Sequence, residues 1–212
     1  MNRPATRRAA FTLIELLVVI AIIGTLAAVS TPLLRKGRIK GRITVSENRI
    51  NQLVLAIDSF EGQFGDYPPS SLEDYYETSG NRVDSGIESV ILCLSTQKKG
   101  GPFFDWEEDA LSNLDNDTLE SEEAKERLDW IFGDNQLREY LDGFDNPLIY
   151  IHNKDYEDTF TITHEGGTRG TATGGRSEKS STFFAPTGYQ LWSCGPNETN
   201  DGGMDDDIGS WE

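Results

Sequence analysis

Apolar residues form two different patterns in the first third of the chain. From Phe11 to Val29, fifteen of nineteen residues are Ala, Val, Ile, Leu or Phe; the exceptions are Thr12, Glu15, Gly24 and Thr25. A helix of that length spans roughly 28 Å, close to the hydrocarbon core of a bilayer. After Pro32 the apolar positions are Ile39, Ile43, Ile50, Leu53, Ile57, Phe60 and Phe64, separated by 4, 7, 3, 4, 3 and 4 residues. That spacing predicts an amphipathic helix over Leu33–Phe64 whose stripe packs on a folded domain. Gly65 and Pro68-Pro69 end it. Gly24, with poor helix propensity, and Pro32, which lacks an amide donor, mark a weaker section where bending or local melting is expected under packing.

Beyond residue 65 the elements shorten. Ser85-Gly86-Ile87-Glu88 reads as a capping box opening a helix over Ile87–Thr96, stopped near Gly100-Gly101. A second short helix is expected around Glu122–Phe132, with an acid-rich first turn that suits the helix dipole. Leu148–His152, Phe160–His164 and Tyr189–Ser193 read as strands. The Gly-, Ser- and Thr-rich stretch Gly166–Ser181 reads as a mobile hairpin tip. The expected organisation is a leader at 1–10, a transmembrane half-helix at 11–32, an amphipathic half-helix at 33–64, a helix-and-loop region at 65–147, and a sheet with a terminal loop at 148–212.

Charge sharpens this division. The 212-residue chain carries a formal net charge of −17. Residues 1–49 hold nine basic residues against two acids, Glu15 and Glu47, whereas residues 50–212 hold 10 basic residues against 34 acids. Such a surface excludes nucleic acid as a partner, because duplex binding needs a basic face to replace counterions. The basic leader Arg3–Arg8 keeps the N-terminus cytoplasmic by the positive-inside rule, so the acidic remainder is exported. Twelve Leu, Ile, Val or Phe residues in the run contribute on the order of −4 to −7 kcal/mol to insertion, against about +3 for one acid. The span therefore inserts despite Glu15, and a carboxylate in such a segment is a functional candidate in itself. By the residues alone the alternative is a plain anchor, or a secretory signal cut near Ala28-Val29-Ser30.

The stretch from Ala10 to Gly24, AFTLIELLVVIAIIG, resembles the class III signal of type IV pilins and pseudopilins. The resemblance implies that a prepilin peptidase cuts between Ala10 and Phe11 and N-methylates Phe11; Ala10 stands where Gly is usual. It implies also that Glu15 pairs with the new α-ammonium of its own or a neighbouring chain and sets register as subunits enter a filament. Such pairing suits a buried carboxylate, which needs a cationic partner. Further along, Tyr67-Pro68 and Asp142-Gly143-Phe144-Asp145-Asn146-Pro147 are similar to two turns of the major pseudopilin of type II secretion systems. The acidic stretch of 95–140 lies outside the resemblance.

The segment from Ser193 to Trp211 concentrates oxygen ligands and glycines, the composition calcium favours. It is no EF-hand, because with Asn197 counted as position 1 the twelfth position is Ile208 in place of Glu. It resembles the pseudopilin calcium loop, which implies Ca2+ held by Asn197, Asp206 and Asp207 with backbone carbonyls near Cys194 and Met204. A solvated acidic tail is the alternative. Cys93 and Cys194 permit one disulfide, or two thiols. His152 and His164 lack a partner motif, and no G-x-S-x-G, H-E-x-x-H or P-loop is present, so catalysis is not expected.

These readings converge on an α+β, pilin-like fold: a long N-terminal α-helix, transmembrane in its first half, packed on a small antiparallel β-sheet. The function implied by resemblance is a subunit of a type II secretion pseudopilus. It is a single-pass inner-membrane protein with a periplasmic C-terminal domain, and its partners are further copies of itself, the prepilin peptidase, other pseudopilins and the inner-membrane assembly platform. A type IV pilus subunit, or a tethered calcium-binding module that never polymerises, are the alternatives.

Overall fold

The computed structural model describes residues 13–74, 81–119 and 131–211. The processing pair Ala10 and Phe11 lies outside the described residues, as does the helix expected over Glu122–Phe132 except for its last two residues. The chain divides into two compact units, Met1–Lys40 and Gly41–Glu212. Helix α1 (Leu13–Phe64) supplies the described part of the first unit and enters the second. Its backbone is helical through Gly24 and Pro32. One missing amide donor does not break a ladder of this length in the single chain.

In the first unit the large apolar side chains from Leu13 to Leu26 are exposed, Leu13 at 82 % and Val19 at 44 %. Among the described residues no helix is long and apolar enough to cross a membrane. The exposed apolar run whose side chains are described covers Leu13–Leu26, part of the sequence run.

In the second unit α1 buries the predicted stripe only from Ile50 on; Ile39, in the first unit, is exposed and Ile43 is half-buried. Ile50, Leu53, Ile57 and Phe60 are buried, and Phe64 packs beside them. They meet Ile87, Val90, Ile91 and Leu94 of α2 (Ser85–Leu94) and Leu148, Tyr150, Tyr189 and Leu191 of the main sheet. That sheet is antiparallel, in the order β3 (Ile149–His152), β6 (Tyr189–Ser193), β7 (Ile208–Gly209), with Tyr150 opposite Leu191 and Ser193 opposite Ile208. Because side chains alternate across a strand, Ile149, Ile151 and Trp192 face the other way. There they form a second core with Tyr156, Cys194 and Ile162. Ile162 comes from a hairpin of β4 (Phe160–Thr163) and β5 (Arg169–Ala172). A two-residue pair, β1 (Leu111–Ser112) with β2 (Glu139–Tyr140), completes the sheets.

Several expectations change. The capping box is not formed: α2 begins at Ser85 behind Asp84, which has left-handed backbone (φ 52) and makes no side-chain cap. The Ser85 hydroxyl donates instead to the carbonyl of Ser70, the Glu88 side chain is buried, and both carboxylate oxygens of Asp84 accept from the Thr163 amide. Tertiary contacts have claimed each group that the local motif needs. The helix ends at Leu94, where the Ser95 and Thr96 amides close on Ile91 and Cys93, rather than at Thr96. The Gly166–Ser181 stretch is not a loose tip, since it supplies β5. Gly175 sits where a Cβ would overlap the Gly202 carbonyl, and its amide and carbonyl grip the buried Gln190 side chain at 2.7 and 3.0 Å. Cys93 belongs to the first core and Cys194 to the second, so no disulfide joins them.

The stripe makes α1 a structural member of the second unit. Replacing Leu53, fully buried, by Ala is expected to cost about 2–5 kcal/mol in denaturant unfolding. The same change at Leu55, 69 % exposed, should stay within about 0.5 kcal/mol.

Candidate functional site

The C-terminal loop starts where β6 ends. A tight turn at Gly195–Asn197 follows Cys194, and the chain returns through Asp205–Asp207 into β7, so the β6–β7 pair clamps both ends of the loop. Gly195 has positive φ and lies where a Cβ would overlap the Asp206 carbonyl, which makes glycine necessary for this close return.

Inside the loop, carboxylates organise backbone amides. Asp206 accepts from the Asn197 amide at 2.9 Å. One oxygen of Asp207 accepts from the amides of Asp201 and Gly203 at 2.9 and 2.7 Å. Its other oxygen is buried without a hydrogen-bond partner, and burial pushes its carboxyl up to about 7. The side-chain amide of Asn197 donates to the Asp201 carboxylate, and the Met204 carbonyl accepts the Asp207 amide at 3.0 Å. Asn197, Asp206, Asp207 and Met204 are thus brought into one ring of contacts. Cys194 stands at the entrance with its thiol in the second core, where burial raises its pKa. Trp211 covers the base, since a Cβ on Gly203 or Gly209 would strike its ring.

A second group of acids was not read as a site from the sequence. Asp84 stands just before α2, Glu88 lies in its first turn, Asp115 and Asp117 lie in the loop after β1, and Glu139 lies on β2. Ligand oxygens of Asp84, Asp115 and Glu139 fall within 4.8 Å of one another, and so do those of Glu88, Asp115 and Asp117. Glu88 is 2 % exposed and Glu139 0 %. Burial pushes Asp117 up to about 6, Asp84 to about 7 and Glu139 to about 8, and raises Glu88 well above the usual carboxylate range. The signal available in the sequence was Glu88 itself, a charge in an otherwise apolar helix, SGIESVILCL.

His152 accepts the Lys154 amide at Nδ1 and lies 3.2 Å from Asp66 through Nε2. His164 packs against Gly170, where a Cβ would approach its Nε2.

Residues 5–31 match the family model described as the prokaryotic N-terminal methylation motif. This is a class III signal. The match supports a type IV pilin-like protein held in the membrane by its N-terminal segment and processed by a prepilin peptidase. No curated protein and no solved structure matches the chain. The fold agrees in kind, since a long N-terminal helix with antiparallel sheets is a pilin-like α+β arrangement. Of the residues implicated by the signal, Glu15 is described, in the first turn of α1.

Asp207 is the organising residue of the terminal loop. Asp207→Ala removes the acceptor of two amides and should destabilise the domain by about 1–3 kcal/mol. Amide exchange at buried Gly203 should accelerate before that of the β3–β6 pair. Unchanged exchange at Gly203 would show that the loop is held by other contacts.

Proposed function

We propose that this protein is a structural subunit of a type II secretion pseudopilus, one that supports protein export across the outer membrane. The observation that carries the reading is the class III signal at 5–31 with Glu15 inside it. Cutting before Phe11 creates an α-ammonium one helical turn from Glu15. In an apolar surrounding each charge needs the other. Pairing between neighbours, rather than within one chain, sets how far a subunit advances into the filament. The exposed apolar side chains of Leu13–Leu26 supply the area that neighbouring helices cover.

The choice of secretion pseudopilus over surface pilus rests on the downstream turns and the terminal loop. Tyr67-Pro68 follows α1, and the Tyr150 hydroxyl donates to the Pro68 carbonyl at 2.6 Å. Asp142–Pro147 forms a tight buried turn. In the loop, Asn197, Asp206 and Asp207, with the carbonyls of Cys194 and Met204, would hold Ca2+. The buried, unpartnered oxygen of Asp207 fits a cation ligand. The role is structural, with export driven by assembly and not by chemistry at this chain.

The test is Glu15→Ala in a strain that assembles filaments from this subunit. The variant should reach the membrane and be cleaved normally, while sheared filaments fall at least tenfold, as removal of one partner of a buried ion pair implies. Filaments at the original yield would favour a tethered domain that does not polymerise through this residue.

A further inference from the structure

The acidic cluster beneath α2 is built in a way that solvated acids are not. Its members come from distant parts of the chain, and backbone amides fix the side chains of Asp84, Asp117 and Glu139. The Asn81 amide donates to one oxygen of Asp117 at 3.0 Å, and the Leu114 amide to one oxygen of Glu139 at 2.8 Å. Thr163 donates to Asp84. The remaining oxygens point inward. Glu88 Oε1, Glu139 Oε1, Asp117 Oδ1 and both oxygens of Asp115 are buried with no donor from outside the cluster; Asp117 lies close enough to Asp115 and Glu88 to share a proton with them. Glu88, Asp117 and Glu139 are each more than nine-tenths buried. Among the described residues no ion pair joins any of the five acids to Lys, Arg or His. Orphaned buried carboxylate oxygens this close together repel one another, and burial removes the water that would screen them.

We propose that Asp84, Glu88, Asp115, Asp117 and Glu139 form a buried binding centre for a hard divalent cation of calcium type, with Asp115 as the shared ligand.

The donor set decides the chemistry. All candidate ligands are carboxylate oxygens, with neither sulfur nor imidazole among them, which selects a hard cation over zinc or copper. Calcium binds oxygens at 2.3–2.6 Å. Two ligands of one ion at about 2.4 Å lie no more than about 4.8 Å apart, and the ligand oxygens of each triad all fall within that limit. Magnesium keeps several waters and a rigid octahedron, which suits a dry centre of five carboxylates less well. The amide donors on the outer oxygens resemble the supports that orient metal-ligating carboxylates elsewhere. This centre is separate from the C-terminal loop. It gives the acidic stretch of 95–140 a task, since Asp115, Asp117 and Glu139 bring that stretch onto Asp84, just before α2, and Glu88 in its first turn.

Calcium binding to full-length, detergent-solubilised protein, stripped with chelator, tests the proposal by equilibrium dialysis with radioactive calcium. The parent for comparison is Asp206→Asn/Asp207→Asn, which removes the terminal loop's acids, so failure of the loop as a calcium site does not affect the reading. That parent should hold at least one calcium per chain with half-saturation at or below ~1 mM. Adding Asp115→Asn should weaken that binding at least tenfold. As a second measurement, calcium should raise the parent's thermal midpoint, and Asp115→Asn or Glu139→Gln should abolish the rise. Both substitutions should leave the chelated midpoint unchanged or higher, because they relieve repulsion. Folded parent that binds no calcium up to ~10 mM, above the weakest extracellular modules, would overturn the proposal. So would an Asp115→Asn variant with the parent's affinity, or a calcium response that survives Glu139→Gln: the cluster would then be neutralised by protons alone.

Discussion

One buried carboxylate ties the second unit together. Asp142 is fully buried and accepts from the amides of Phe144 and Asn146, which closes the turn, and from the hydroxyl of Ser193, which joins the turn to β6. The next amide in the turn, that of Gly143, donates to Ser46 of α1 at 2.9 Å, and Gly143 lies where any Cβ would overlap the Arg42 carbonyl. Arg49, one turn further along α1, donates to the carbonyls of Leu141 and Asp142 and pairs with Glu107. Ser193 also accepts the Gly195 amide at the start of the terminal loop. Helix, turn, sheet and loop therefore share one polar junction. Burial raises the pKa of Asp142, and the three donors offset only part of the water it lost.

This junction explains how one chain meets two kinds of demand. The part of α1 within the second unit is held by an apolar stripe on one face and by Ser46 and Arg49 on polar positions beside it. The described part of the first unit exposes its large apolar side chains from Leu13 to Leu26. The first segment leaves its apolar side chains exposed, and the second buries its stripe in its own domain. The class III signal at 5–31 gives that division its biological sense.

The regular elements were legible because their patterns are long. The stripe from Ile50 to Phe64 repeats for four turns, and β6 was read at its observed bounds because Tyr189–Ser193 is bracketed by Gly188 and Gly195. The helix start at Ser85 was misread because a capping box is a local rule, and Ser85, Glu88 and Asp84 are engaged by Ser70, the acidic centre and Thr163. The order in Gly166–Ser181 was hidden for a similar reason. Its glycines serve close packing against Tyr156 and Gly202, which looks like flexibility when only composition is seen. The acidic centre was the least legible feature. Its members span residues 84 to 139, no spacing rule links them, and an acid-rich chain makes each one look like ordinary surface.

Processing before Phe11 decides whether this chain can enter a filament, and the mature N-terminus tests it most directly. Mass spectrometry of the protein purified from its native host should find the first ten residues removed and Phe11 carrying an N-methyl group. A chain that begins at Met1, or near Thr31, would contradict the prepilin reading and leave an anchored or secreted domain in its place.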